Sequence, residues 1–404
     1  TICPKFLYSG PDVPWMNPQC LGINTLPPRS NLYTYPSEKK ALNADPLDSP
    51  WHLLLDGQWS FKLYRKPSDL EQGIIDPDYK DSGWDFINVP GNWMMQGHDY
   101  PHYTNVQMPF SHQPPKVPKE NPTGVYRTNF IMPKGWKERR TVIHFGGVES
   151  AFFVFCNGKM VGLGKDSRTP VEFDLSPWIK TGKNHLTVVV IRWSDGSFLE
   201  DQDHWWMAGI HRSVYLRSTA KTYLEDIFPR AELNEELDSG SLEVEARVNF
   251  AGKVEAGWKI GIKVIDPENN QLFPSMPFEE IPLAEQTRIN LGHLIRIYKK
   301  VKKPKLWSNE KPNLYTVLIC LFDQSGKEVE WTSCKIGFRR IEIKNREMLI
   351  NGMPVLMQGV NRHEHDPESG KTVSRESMLE DIVLLKKYNF NAVRCSHYPN
   401  DPHW

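Results

Sequence analysis

The 404-residue sequence predicts a multidomain, mainly β chain: an antiparallel β-sandwich, a second sandwich of immunoglobulin-like type, then the opening of a parallel α/β fold. Three observations predict it. Short β-rich runs separated by turn residues recur from Trp51 to Arg217, the signature of an antiparallel sandwich. A second block, ending near Phe338, alternates apolar and polar residues. A strand, a helix and a strand then follow one another before Trp404, as parallel sheets begin.

Residues 1–48 are rich in Pro, Asn and Ser and hold no sustained period, so they read as an extended arm. The first sandwich spans 49–220, with strands expected at 59–64, 141–145, 151–156, 186–193 and 214–217. Asn157-Gly158 lies between two of these runs, a hairpin signal because both central residues of a type I′ turn need positive φ. In the second sandwich, 221–338, Leu242, Val244, Ala246, Val248 and Phe250 alternate with Glu243, Glu245, Arg247 and Asn249. One face is buried and one wet. It lacks the Cys…Trp…Cys spacing of antibody domains.

In the last block, 339–404, the apolar run 354–360 reads as a strand covered on both faces. Ser374 can cap a helix with Met378, Ile382 and Leu385 on one side, and 391–395 reads as a second buried strand. Two strands and one helix cannot close a parallel sheet. The chain also opens on Thr1 rather than Met. Both ends therefore read as cut.

Composition narrows the function. Lys plus Arg and Asp plus Glu each number 49, so no basic excess points to nucleic acid. No apolar run approaches the ~18 residues of a membrane span. The 32 prolines disfavour long helices. Aromatic residues, at 11%, suit sandwich cores first and sugar sites second. The six cysteines are scattered without C-x-x-C, which favours a reducing, cytoplasmic setting.

His363 follows the first expected barrel-type strand and His397 the second. Ends of parallel strands converge on one face in (β/α)8 barrels, so the two rings either meet over a substrate or stabilise turns. A zinc site at His363, Glu364 and His365 is disfavoured, since an extended segment turns Glu364 away from both histidines. The acidic stretch from Asp195 to Asp203, followed by His204, Trp205 and Trp206, reads as a cation or sugar site, a nucleotide-sugar Asp-x-Asp, or a solvated turn. The solvated turn is favoured on the stretch alone.

The segments Asp56-Gly57-Gln58-Trp59, Val89-Pro90-Gly91-Asn92-Trp93, Tyr103-Thr104-Asn105-Val106, Lys165-Asp166-Ser167-Arg168, Arg192 through Asp203, Gly359 through His365 and Asn389 through Asn400 together resemble the family 2 glycoside hydrolases, especially the large bacterial-type β-galactosidases. The resemblance implies a jelly-roll sugar-binding domain, an immunoglobulin-like sandwich and the truncated start of a (β/α)8 TIM barrel. It implies retaining hydrolysis of terminal β-D-galactosides such as lactose, with β-glucuronidases and β-mannosidases as related specificities. His363 and His397 are then transition-state stabilisers and sugar contacts. Asn105 and Asp203 are substrate-binding, Asp203 also ligates Na+, and Arg394 supports nearby carboxylates. The Mg2+ ligands and the acid/base and nucleophile Glu pair would lie beyond Trp404. Glu364 and Glu380 do not replace them, so the fragment alone is expected to be inactive. A homo-oligomer is implied for the full-length protein. The rival reading is a non-catalytic carbohydrate-binding or subunit-interaction fragment.

Overall fold

The structure is a computed structural model that describes residues 13–105, 107–284 and 292–404. Strands dominate, and the chain divides into two compact units. The described residues up to 28 join 53–218 and 359–404 in one; 29–52 and 219–358 form the other. Among the described residues, no helix is long and apolar enough to cross a membrane.

The first unit is built on two antiparallel sheets. Six strands run in the order Asp85–Val89, Gly57–Tyr64, Thr123–Ile131, Lys183–Ile191, Ala151–Cys156, Lys159–Lys165. Four run in the order His52–Leu54, Val214–Thr219, Arg140–Phe145, Val171–Asp174. Trp59, Tyr126, Phe152 and Val188 of one sheet share a core with Phe145, Phe173 and Leu216 of the other. Each such burial stabilises by about 1.5–3 kcal/mol. The Asn157-Gly158 hairpin forms with φ of 51° and 76°, and joins Ala151–Cys156 to Lys159–Lys165.

In the same unit, Gly359–Arg362 pairs in parallel with Ala392–Cys395, and the helix Arg375–Lys387 connects them. Ser374 caps the helix by accepting the Ser377 N–H. Met378 is buried and Leu385 half-buried, but Ile382 is 40% exposed, so the expected apolar face is only partly covered. The run 354–360 is not one strand. Met353–Pro354 ends a small antiparallel sheet of the other unit, and Leu356 and Met357 are exposed. Pro354 lacks the N–H that would carry the ladder onward.

The second unit is a sandwich of a three-stranded and a four-stranded sheet. In Ser239–Phe250 the residues Leu242, Val244, Ala246 and Val248 are all buried, as the alternation requires. The segment read as an extended arm contributes a short helix, Glu38–Asn43. Its Ala41 packs with Tyr35, Leu318 and Trp331.

Candidate active site

Asn105 and Asp203 stand at the end of a two-stranded ribbon. His102–Thr104 pairs antiparallel with His204–Trp206, setting Thr104 opposite His204 and Tyr103 opposite Trp205. The ladder ends there, and Asn105 and Asp203 follow it as exposed bend residues, one on each strand's end. Side chains alternate between faces, so the cross-strand pair Tyr103 and Trp205 shares one face, and Asp203 reaches the same side. There the Tyr103 hydroxyl donates to Asp203 Oδ1, and the Tyr103 and Trp205 rings lie 5.5 Å apart, both exposed. The other face is buried and carries His204 and Trp206.

The parallel strands bring the second pair of predicted residues. Arg362 lies beside Cys395, so His363 and His397 leave the same sheet edge, and their rings come within 5.9 Å at 88°. His204 joins them from the ribbon. Its ring is 5.1 Å from His363 and 5.1 Å from His365, and it stacks on Tyr398 at 5.9 Å. His363 and His365 thus meet one neighbour while Glu364 turns away. The buried Glu364 carboxylate accepts from Arg212 Nη2 at 2.7 Å and from the Asp401 N–H at 2.7 Å. That engagement removes Glu364 from any zinc triad.

Burial lowers the pKa of His204, His363 and His365. It lowers the His363 pKa first, with repulsion from His397 next and Asp203 pulling the other way. For His204, burial and then the Lys371 and Arg168 cations push the pKa down to about 2. A neutral imidazole offers one N–H donor and one acceptor, suited to sugar hydroxyls.

The acidic stretch is not a solvated turn. Asp195 is buried and accepts Lys165 Nζ at 2.7 Å, while Lys165 also donates to the carbonyls of Pro14, Asn17 and Cys20. Glu200 accepts both the N–H and the hydroxyl of Ser167 at 2.7 Å, and burial raises its pKa to about 7. Asp203 alone of these three is exposed. A cavity of about 10 Å3 lies between Glu149, Arg168, Glu200, His204 and Lys371, room for about one water.

Among the described residues, no three His, Cys, Asp or Glu side chains cluster as metal donors. Asp203, with one oxygen bonded to Tyr103, is a single exposed carboxylate, a hard oxygen donor. Arg394 is exposed and donates to Asn361 Oδ1 at 3.4 Å; it has no carboxylate partner among the described residues. Glu380 is exposed on the helix. Cys20, Cys156, Cys320, Cys334 and Cys395 are free thiols, while Cys3 and Val106 lie outside the described residues.

Sequence reasoning missed the framework beneath the rings: Glu149, Arg212 and Lys371 went unnoticed, and Arg168 and Tyr398, though inside segments that carry the resemblance, were given no role. Their partners are far along the chain, and no local spacing announces them.

Residues 53–220 match the profile described as glycosyl hydrolases family 2, sugar binding domain; 222–339 match glycosyl hydrolases family 2; 341–404 match its TIM barrel domain. The chain is 43% identical over 394 residues to a β-galactosidase of Psychromonas ingrahamii, covering 96% of this chain and 37% of that protein. It is 41% identical over 399 residues to one of Vibrio cholerae, covering 96% and 38%. The chain thus spans under two-fifths of the length of these relatives. In fold it resembles a β-glucuronidase of Bacteroides uniformis, with a TM-score of 0.71 at 21% identity over 87% of this chain and 40% of that one. A Bifidobacterium dentium β-glucuronidase gives 0.69 at 20% identity over 93% and 59%. Jelly-roll and immunoglobulin-like sandwiches followed by the first units of a TIM barrel, matched in order from residue 53 to 404, place the chain in glycosyl hydrolase family 2.

Proposed function

We propose that these residues form the sugar-holding half of a retaining β-galactosidase site, acting on terminal β-D-galactosides such as lactose. The observation that carries the reading is the meeting of His363 and His397 at 5.9 Å, with Asp203 near enough to His363 to act on its charge. The identity to β-galactosidases at 41–43% adds to it.

In this reading His363 and His397 donate ring N–H groups to hydroxyls of the galactosyl group. Asn105 and Asp203 hold the sugar from the ribbon side. These contacts accelerate the reaction only so far as they strengthen when the ring flattens toward the oxocarbenium-like state. Asp203 would hold a Na+, which supplies a positive point for a sugar hydroxyl. Mg2+ would be held by residues outside this chain. The two carboxyl groups needed for retention, about 5–5.5 Å apart, would also come from outside it. One protonates the leaving oxygen while the other forms the glycosyl-enzyme that water releases.

The test is a panel of aryl β-galactoside, β-glucuronide and β-mannoside with the complete protein, alongside Asp203→Ala and a sodium titration. Galactoside preference, with loss of both turnover and sodium response in the variant, is expected. Preference for the glucuronide, or an Asp203→Ala enzyme with unchanged kinetics across the titration, refutes the reading.

A further inference from the structure

Tyr398 lies one residue beyond His397 and is 8% exposed. Its ring is fixed on two sides: the Arg168 guanidinium sits 4.0 Å from the ring centroid, and His204 stacks at 5.9 Å with 16° between planes. A cation over the ring face holds a phenol in place. Its hydroxyl accepts the Glu364 N–H at 3.1 Å and stands 3.5 Å from His363 Nδ1.

A phenol has one proton to give. With the Glu364 amide already donating to the oxygen, that proton needs an acceptor, because buried hydroxyls are seldom left unpaired. His363 Nδ1 is the acceptor within reach among the described residues. The opposite tautomer would put hydrogens on both sides of the contact and leave the phenol proton without a partner. The contact is long, as such bonds often are before substrate binds.

We propose that Tyr398 is a positioning residue: its hydroxyl donates to Nδ1 of His363, so that this imidazole carries its hydrogen on Nε2 and presents it to the sugar. This rests on the reading of His363 as a sugar contact. The hydrogen bond made by one ring nitrogen decides which nitrogen carries the proton, and Tyr398 makes that choice while remaining behind the ring. His397, Asp203, Arg168, His204 and His365 are the other titratable or charged groups around His363.

The test is Tyr398→Phe in the complete protein, which keeps the ring between Arg168 and His204 and removes only the hydroxyl. Turnover of p-nitrophenyl β-galactoside is expected to fall about 10–100-fold, the scale of a lost supporting hydrogen bond, with KM little changed. The acidic limb of the kcat profile should move to higher pH, since a freed Nδ1 takes a proton more readily. In a His363→Phe background the same change should cost less than about 2-fold, because the two residues act as a unit.

A Tyr398→Phe enzyme with unaltered kcat, or equal losses in both backgrounds, overturns the proposal. A His363→Phe enzyme with normal galactoside turnover instead removes the sugar-contact reading beneath it. Should Tyr398→Phe fail to fold, 3-fluorotyrosine at that position keeps the shape and sharpens the donor. The acidic limb must then move to lower pH, and an unmoved limb overturns the proposal.

Discussion

Lys371 Nζ lies 2.9 and 2.7 Å from the two carboxylate oxygens of Glu149, and both side chains are buried. The Lys371 N–H also donates to Asn92 Oδ1 at 2.8 Å. The segment after His365 is thereby tied to the sheet region at two points. Burial pulls the Lys371 pKa down to about 8, with Glu149 as the main opposing influence. A buried ion pair holds its place because removing one partner strands the other charge away from water. Lys371→Met is therefore expected to destabilise by about 3–5 kcal/mol. Arg230, 41% exposed beside Glu243, supplies the contrast: Arg230→Ala should leave stability nearly unchanged, because water screens an exposed pair. Chemical denaturation of both variants measures the difference, and equal losses would refute the role given to Lys371.

Glu200 makes the pH dependence of stability testable. Burial raises its pKa from 4.5 to about 7 against the two Ser167 bonds, so the folded chain holds this proton more tightly than the unfolded one. Its contribution is fully present below pH 4.5 and is lost as pH rises through 7. The size is on the order of 3 kcal/mol. Glu200→Gln removes the titration. The melting temperature of the variant should gain on the wild type between pH 5 and pH 8; parallel curves would disprove the assignment.

His204 acts with the opposite sign. Its folded pKa of about 2 lies below the ordinary 6.5, chiefly through burial. The unfolded state binds the extra proton, so the associated stability is present above pH 6.5 and is lost as pH falls toward 2. His204→Phe keeps an aromatic ring against Tyr398 and cannot charge. The acid-unfolding midpoint, followed by circular dichroism, should move to lower pH. A midpoint that stays or rises excludes His204 as a source of acid lability.

Much of the fold is legible because it is local. Alternation exposes the strand around Val244, and Asn157-Gly158 announces its hairpin. The approach of His363 to His397 follows from two parallel strands ending at one edge. What the sequence hides is long-range pairing. Glu149 and Lys371 are 222 residues apart, and Arg212 and Glu364 are 152; neither pair leaves a periodic trace. The acidic stretch reads as solvated because composition cannot reveal that Lys165 and Ser167 meet Asp195 and Glu200 inside. The run 354–360 misleads for a related reason: apolar character alone does not say where Pro354 interrupts a ladder.

Arg212 joins the two histidine-bearing loops. Its Nη2 donates to Glu364 Oε2 at 2.7 Å, next to His363, and to the Pro399 carbonyl at 2.7 Å, two residues past His397. Nη1 donates to the carbonyl of Arg168, whose guanidinium lies over the Tyr398 ring. One planar guanidinium thus sets the spacing of both loops, a task its rigid fork suits and the single point charge of Lys does not. Arg212→Lys should retain much of the pairing with Glu364 yet release Pro399 or Arg168. In the complete protein we expect folded enzyme with galactoside turnover reduced about 10–100-fold, whereas Arg212→Met should also lose about 3–5 kcal/mol of stability by stranding Glu364. Turnover in Arg212→Lys equal to wild type would mean that charge alone suffices at this position and that the bridge between the loops does not govern where His363 and His397 stand.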